Sequence, residues 1–196
     1  MVLTEKDKWL EASWKESGVL RELNPGNMPL AAQAVVFSCY DKRYVSTWLD
    51  QVVRIASQQQ KRAIPELFPV ICAGGPLVVS PSSPINDRFN HQGMVDCSLK
   101  LAQENGCRNA IILGHYPCLA GEENNISLLF NAALLVAGKR WLESRGTEAT
   151  IIFDIKHEEN APCQPWHLKA SEFEAWWQTG RSDFLHHYPE LIRSDW

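Results

Sequence analysis

Two short apolar segments of the sequence end in side chains of the kinds that bind metal ions. The first segment ends in Cys39, with Asp41 and Arg43 following at alternate positions, and the second ends in His115 and Cys118. Thiolates and imidazoles are preferred zinc ligands, and a catalytic zinc site uses three protein ligands and keeps a fourth position for water. Cys39, His115 and Cys118 are therefore a candidate zinc-ligand set, with Asp41 and Arg43 beside it.

The elements that carry these residues are predicted to be buried strands. The runs 32–38 and 108–113 are short, apolar and rich in β-branched residues, which is typical of strands covered on both faces. In open α/β sheets, ligand sites lie in the crevice beyond the carboxyl ends of the strands. A His-x2-Cys spacing alone is common by chance, but a third ligand-type residue at a second strand end favours a metal site.

A pair of glycines interrupts a third apolar run, at 68–79. Gly74 and Gly75 permit positive φ angles and a close approach of the backbone to a ligand, so we predict that they bind substrate. The spacing Gly-x-Gly-x-x-Gly is absent here, so a dinucleotide fingerprint is not predicted.

The segments between the strands have helical periodicity. Strands that alternate with helices indicate crossover connections, and the sequence therefore predicts an α/β fold with a mostly parallel β-sheet flanked by helices. The remaining predicted elements are helices at 4–23, from 44 to 56, from 86 or 87 to 106 and from 124 or 125 to 146, a strand at 147–155, and a short C-terminal helix around 173–177.

Two of these predicted helices have an apolar face that must pack against another part of the protein or a partner. One face combines Met94, Cys97, Ser98 and Leu101, and we expect Cys97 to pack in the core. The N-terminal helix has a stripe that includes Trp14, for which two alternatives are open: packing on its own domain, or clasping a second subunit.

Length and composition predict one domain of an ordinary globular protein. We divide the 196 residues into an N-terminal helical arm (1–24), a catalytic core (25–156) and a C-terminal helical extension (157–196). The formal net charge is −4 and no basic block stands out, so a nucleic-acid partner is not expected.

The sequence also predicts a cytoplasmic protein without a membrane partner. No apolar run approaches the ~20 residues needed to cross a bilayer. The charged N-terminal segment contains no apolar signal core. The six cysteines are too scattered for a disulfide framework and are predicted to be reduced.

The two metal-ligand motifs, taken in order, resemble the signatures of the β-class carbonic anhydrases. These motifs are Cys39-x-Asp41-x-Arg43 and His115-x2-Cys118. The glycine-bearing strand at 70–75 and the closing run 153–155 also resemble that family, and the likeness extends over roughly 25–156. The resemblance implies a β-carbonic-anhydrase-like fold and a zinc lyase that interconverts CO2 and bicarbonate through zinc-bound hydroxide. It also implies at least a homodimer, because the family builds its pocket at a dimer interface.

Within this resemblance, Asp41 and Arg43 are the expected catalytic residues. Zinc held by two thiolates and one neutral imidazole carries no net charge, so it is a weaker Lewis acid than zinc held by three histidines. Arg43 would keep Asp41 ionised through a charge-assisted pair. Asp41 would then accept a hydrogen bond from the hydroxide and orient it towards CO2.

Two departures from the family pattern leave alternative functions open. Residues 72–76 read Cys-Ala-Gly-Gly-Pro where the family has Arg-Asn-Ala-Gly-Asn, which indicates a different pocket wall. A hydrolase of the same fold that acts on carbon disulfide or carbonyl sulfide is one alternative. The tryptophan-rich C-terminal extension motivates the other, a zinc-stabilised interaction protein without turnover.

Overall fold

The described strands of the computed structural model form a single six-stranded sheet. The structure describes residues 3–23, 31, 33–41, 44, 50, 52–55, 57–58, 66–89, 91–158, 164–180 and 186. The strands are β1 (Leu20–Glu22), β2 (Gln33–Cys39), β3 (Glu66–Cys72), β4 (Asn109–Tyr116), β5 (Glu148–Ile155) and β6 (Pro165–Leu168).

The described helices lie between these strands in the sequence. They are α1 (Glu5–Glu16), α2 (Pro84–Phe89), α3 (His91–Glu104), α4 (Leu119–Glu123), α5 (Leu128–Glu143) and α6 (Ala170–Thr179). A 3-10 turn occupies Leu77–Val79. The described backbone at 50, 52–55 and 57–58 is also helical, in the region where the sequence predicts a helix.

The order of the strands across the sheet is β1-β6-β5-β4-β2-β3. β3, β2, β4 and β5 are parallel to their neighbours, whereas β6 pairs antiparallel with both β5 and β1. The predicted α/β fold with a mostly parallel sheet and flanking helices is therefore confirmed.

Both faces of the central strands are buried, which explains why their sequences are continuously apolar. Along β2, Val35 and Phe37 join the larger core cluster, while Ala34 and Val36 join a smaller one with residues on the other face of the sheet. Period-2 alternation thus divides one strand between two cores.

The N-terminal helix is shorter than predicted. It ends at Glu16 and not at position 23, because Gly18 adopts a φ of +77° and turns the chain into β1. The strand β6, with which β1 pairs, was not predicted. It has only four residues and begins with Pro165, so its strand structure depends on pairing with distant segments.

The predicted core face of the third helix is wrong. In α3 the buried residues are Val95, Leu99 and Ala102, whereas Cys97 is exposed and Leu101 is 56% exposed. Both faces of this helix carry apolar residues at helical spacing, so periodicity alone does not identify the face that meets the sheet.

The apolar run at 68–79 is a strand only in its first part. β3 stops at Cys72, and the chain turns at Gly74 (φ +63°) before the 3-10 turn.

The tryptophan stripe of α1 packs within its own chain. Trp14 makes edge-on contacts with Phe173 and Trp176 of α6, at centroid distances of 5.8 and 5.7 Å. Trp176 also donates its indole hydrogen to Ser13 Oγ, at 2.9 Å. The sequence left open whether this helix packs on its own domain or clasps a second subunit, and the structure shows Trp14 packed on its own domain. Among the described helices, none is long and apolar enough to cross a bilayer.

Candidate metal centre

Three ligand-type side chains meet where β2 and β4 end. The two strands are parallel neighbours, with Ser38 aligned with Leu113, so their carboxyl ends lie at the same edge of the sheet. The ligand atoms of Cys39, His115 and Cys118 all lie within 4.8 Å of one another, and all three residues are buried. The group that the sequence nominates is thus brought together, close enough that it could hold a metal ion.

The tautomer of His115 suits a metal ligand. Its Nδ1 lies 3.0 Å from the carbonyl oxygen of Pro117, which can only accept, so Nδ1 carries the hydrogen and Nε2 carries a lone pair. Nε2 is buried and has no hydrogen-bond partner among the described residues. A buried acceptor without a partner is costly, and a metal ion bound at Nε2 would remove that cost.

The two thiols are coupled to each other. The hydrogen bond from the Cys118 thiol lowers the pKa of Cys39 to about 4, helped by the backbone amide of Asp41 and opposed by burial. The same hydrogen bond, together with burial, raises the pKa of Cys118. Cys39 is therefore the more acidic of the two thiols, and the Cys118 side chain stabilises negative charge on it.

The donor set fits zinc. The Cys39 thiol is acidic, a second sulfur lies beside it, and the imidazole lone pair is unused, so the group matches the Cys2His set of a catalytic zinc site. The backbone amides of Ala120 and Gly121, at the start of α4, also stabilise negative charge on Cys118. The five cysteines that the structure describes are all free thiols.

Of the two predicted catalytic residues, the structure describes one. Asp41 lies two residues beyond Cys39 and is 7% exposed, and its carbonyl oxygen accepts a hydrogen bond from the Tyr44 amide at 3.0 Å. Arg43 lies outside the described residues, so its pairing with Asp41 stays a prediction.

The glycine pair packs under the end of β2. A Cβ on Gly75 would lie 1.9 Å from the carbonyl oxygen of Ser38 and 3.2 Å from the Cys39 nitrogen. A Cβ on Gly74 would lie 2.8 Å from Ile85 Cδ1. These contacts give both glycines a structural role beside Cys39, and their predicted role in substrate binding stays a prediction.

Sequence reasoning missed two side chains beside His115, and it assigned Cys72 to the pocket wall without placing it next to Cys39. Tyr44 stacks on the His115 ring, and Asn131 of α5 donates to the His115 carbonyl oxygen at 3.2 Å. Cys72 aligns with Cys39 on the adjacent strand, and burial and the negative charge of Cys39 raise the pKa of Cys72 to about 11. The sequence contains a signal for Asn131, because an asparagine within the apolar face of a helix usually has a specific hydrogen-bond partner.

Comparisons with known proteins give little beyond this geometry. No protein-family model matches the sequence, and no curated protein matches it significantly. Among solved structures, a carbonic anhydrase from Streptococcus mutans is similar, with a TM-score of 0.31 and 12% sequence identity over 84% of this chain and 99% of that chain. A likeness at this level carries no functional argument, so the proposal below rests on the site itself.

Proposed function

We propose that this protein is a zinc-dependent carbonic anhydrase that interconverts CO2 and bicarbonate. The observation that carries the proposal is the buried Cys39–His115–Cys118 group, whose ligand atoms lie within 4.8 Å of one another at the carboxyl edge of parallel strands. The buried carboxyl group of Asp41, two residues from the first ligand, supports a catalytic role for this site over a purely structural one.

The chain's own residues have distinct roles in this proposal. Cys39 and Cys118 would hold zinc as thiolates and His115 would hold it through Nε2. When bound, zinc supplies a Lewis acid that lowers the pKa of water. The Asp41 carboxylate would accept a hydrogen bond from the attacking water and orient it towards CO2, and Arg43 would keep that carboxylate ionised. The reaction joins water and CO2 to form bicarbonate, and one proton leaves to buffer.

The decisive experiment combines metal analysis with CO2 hydration. Zinc-loaded protein should contain about one zinc per chain and hydrate CO2 above the uncatalysed rate, and turnover should rise with pH. The variant Cys118→Ser removes a ligand and is expected to lose both zinc and activity. If fully zinc-loaded protein hydrates CO2 no faster than the uncatalysed rate, the enzyme proposal is overturned.

Asp41→Asn separates a catalytic zinc site from a structural one. We expect this substitution to keep zinc content and the unfolding midpoint while lowering turnover by about a hundredfold or more, because the amide cannot act as the acceptor that orients water. If zinc has only a structural role, the wild-type protein has no turnover, and Asp41→Asn alters neither the zinc content nor the unfolding midpoint.

A second candidate is a hydrolase of carbon disulfide or carbonyl sulfide with the same site. The observation that favours it is the neutral, buried Cys72 thiol beside Cys39, which makes that side of the site less polar than an arginine would. Comparison of kcat/KM for CO2, carbonyl sulfide and carbon disulfide on one zinc-loaded preparation decides between these two enzymes.

The remaining alternative is a zinc-stabilised interaction protein. Its main support is the aromatic C-terminal segment 181–196, which apart from 186 lies outside the described residues. If deletion of this segment leaves both assembly and partner binding unchanged, that support is gone.

We further propose a cytoplasmic protein that forms a homodimer or a higher homo-oligomer. Free thiols in the site fit a reducing compartment. Sedimentation equilibrium tests the assembly, and a mass equal to one chain at micromolar concentration would contradict it.

A further inference from the structure

The aromatic ring of Tyr44 covers the imidazole of His115. The two ring centroids are 4.1 Å apart and the planes are inclined by 25°, which is a stacked arrangement. Tyr44 is only 2% exposed, so the ring is held on all sides by protein. A stack of this kind fixes the plane of the imidazole.

The Tyr44 hydroxyl and the imidazole also share an acceptor. His115 Nδ1 donates to the carbonyl oxygen of Pro117 at 3.0 Å, and Tyr44 Oη lies 3.4 Å from the same oxygen. The first contact fixes the rotation of the imidazole within its plane. Together with the stack, it determines the direction in which Nε2 presents its lone pair.

A buried cation holds the other partner of the stack in place. Lys156 Nζ lies over the Tyr44 ring, 4.9 Å from its centroid, and Lys156 is only 9% exposed. Its backbone nitrogen donates to the Tyr116 carbonyl oxygen at 2.9 Å, which ties it to the residue next to His115. A desolvated cation over an aromatic face is attracted by the ring quadrupole. Tyr44 is thus fixed relative to the strand that carries the metal ligand.

We propose that Tyr44 is a positioning residue, which aims His115 Nε2 at the metal. The inference rests on the metal site of the proposed function, but not on the identity of the reaction. Residues that orient metal-bound imidazoles typically change metal affinity or activity by 10- to 100-fold when they are removed. Because Tyr44 acts through His115, its removal should disturb the histidine ligand and leave the two sulfur ligands in place.

Cobalt titration of the full chain tests this role without measuring turnover. Co2+ bound by thiolates has intense charge-transfer bands, whereas its d–d bands report the geometry of all the ligands. We expect Tyr44→Leu to weaken Co2+ binding by about 10- to 100-fold and to change the d–d bands while the charge-transfer bands persist. Tyr44→Phe keeps the ring and should bind within about threefold of wild type, since it loses one long hydrogen bond.

Tyr40→Leu is the matched control. Tyr40 lies in the same segment, next to Cys39, but is 66% exposed, so its loss should leave the affinity and the spectrum of the cobalt form unchanged. Circular dichroism of the metal-free variants checks that they fold. If Tyr44→Leu fails to fold, Tyr44→Met replaces it with the same expected result.

The outcomes separate this inference from the proposed function. A Tyr44→Leu protein with wild-type Co2+ affinity and wild-type d–d bands overturns the positioning role, as does a Tyr44→Phe protein as impaired as Tyr44→Leu. A wild-type chain that binds Co2+ but does not hydrate CO2 overturns the proposed function only. A wild-type chain that binds no Co2+ overturns both.

Discussion

At the scale of single residues, the metal centre is organised around one shared proton. Cys118 donates its thiol hydrogen to Cys39, so the pKa of Cys39 falls to about 4 while that of Cys118 rises. The first proton of the pair is therefore lost more readily than that of an isolated cysteine thiol. Two separate thiols, each near the ordinary cysteine pKa of about 8.5, would both be protonated at neutral pH.

This arrangement predicts the number of protons that metal binding displaces. Zinc requires two thiolates, and Cys39 is the more acidic thiol, so we expect binding near neutral pH to release about one proton, that of Cys118. Affinity should then rise about tenfold per pH unit, because each released proton contributes one unit of slope. Calorimetric titration in buffers of different ionisation enthalpy counts the protons. A release of two would contradict the shared-proton arrangement.

Gly75 provides a second prediction at this scale. Gly75→Ala should lower the free energy of unfolding by about 3 kcal/mol or more, because the added Cβ meets backbone atoms of Ser38 at 1.9 Å and cannot be accommodated by a side-chain rotation. The strain falls next to Cys39, so zinc affinity should fall as well. Urea unfolding and a chelator competition measure the two effects.

The control for this change is Gly93→Ala. Gly93 lies in α3 and a Cβ there meets nothing within 4 Å. Alanine should be neutral or stabilise the helix by up to about 1 kcal/mol. If Gly75→Ala and Gly93→Ala lower the free energy of unfolding equally, the close approach of Gly75 to β2 does not explain the loss at position 75.

At the scale of elements, an ion pair joins α6 to α5. Arg140 donates from Nε and Nη2 to the two carboxylate oxygens of Glu174, at 2.8 and 2.5 Å. Its guanidinium lowers the pKa of Glu174. Both side chains are about half exposed, so solvent screens the pair and its contribution is modest.

Glu174→Gln should therefore have a small, pH-dependent cost. A lowered pKa in the folded state stabilises the fold above the unfolded-state pKa of about 4.5, and this stabilisation is lost as the pH falls through the folded value. We expect the substitution to lower the free energy of unfolding by up to about 1 kcal/mol at neutral pH. In acid, the variant and the wild type should be equally stable.

Thermal unfolding over a pH series measures the effect. Arg140→Lys keeps the charge but loses the two-pronged contact, so it should be intermediate. A difference between Glu174→Gln and wild type that persists at acid pH would contradict this account of the pair.

At the scale of the whole molecule, the candidate metal site links segments that are far apart in sequence. Cys39 is the last residue of β2, whereas His115 lies near the end of β4 and Cys118 lies after it. Since a metal ion binds the folded chain preferentially, zinc should raise stability through mass action.

Removal of zinc should lower the unfolding temperature. Free zinc at a hundredfold excess over its Kd stabilises by about 2.7 kcal/mol. For a chain of this size that corresponds to roughly 5–10 °C in Tm. The control is Cys118→Ser, whose Tm should respond much less to zinc. A wild-type Tm that is the same with zinc and with a chelator would contradict the linkage.

The sequence by itself determined the central part of the fold. Residues at the strand ends, such as Cys39 and His115, could be nominated because burial on both faces makes parallel strands continuously apolar, and ligand sites follow such runs. These signals are local: the length of an apolar run, the period of a stripe and the residue type at a strand exit.

Only the tertiary structure decided what depends on distant partners. β6 exists because β5 and β1 flank it, and α3 buries Val95 and not Cys97 because of where the sheet lies. The stacking of Tyr44 on His115 joins residues that are far apart in the chain, and no periodicity encodes such a contact. Residue types at strand exits nominate the ligands, but the side chains that aim them are selected by packing.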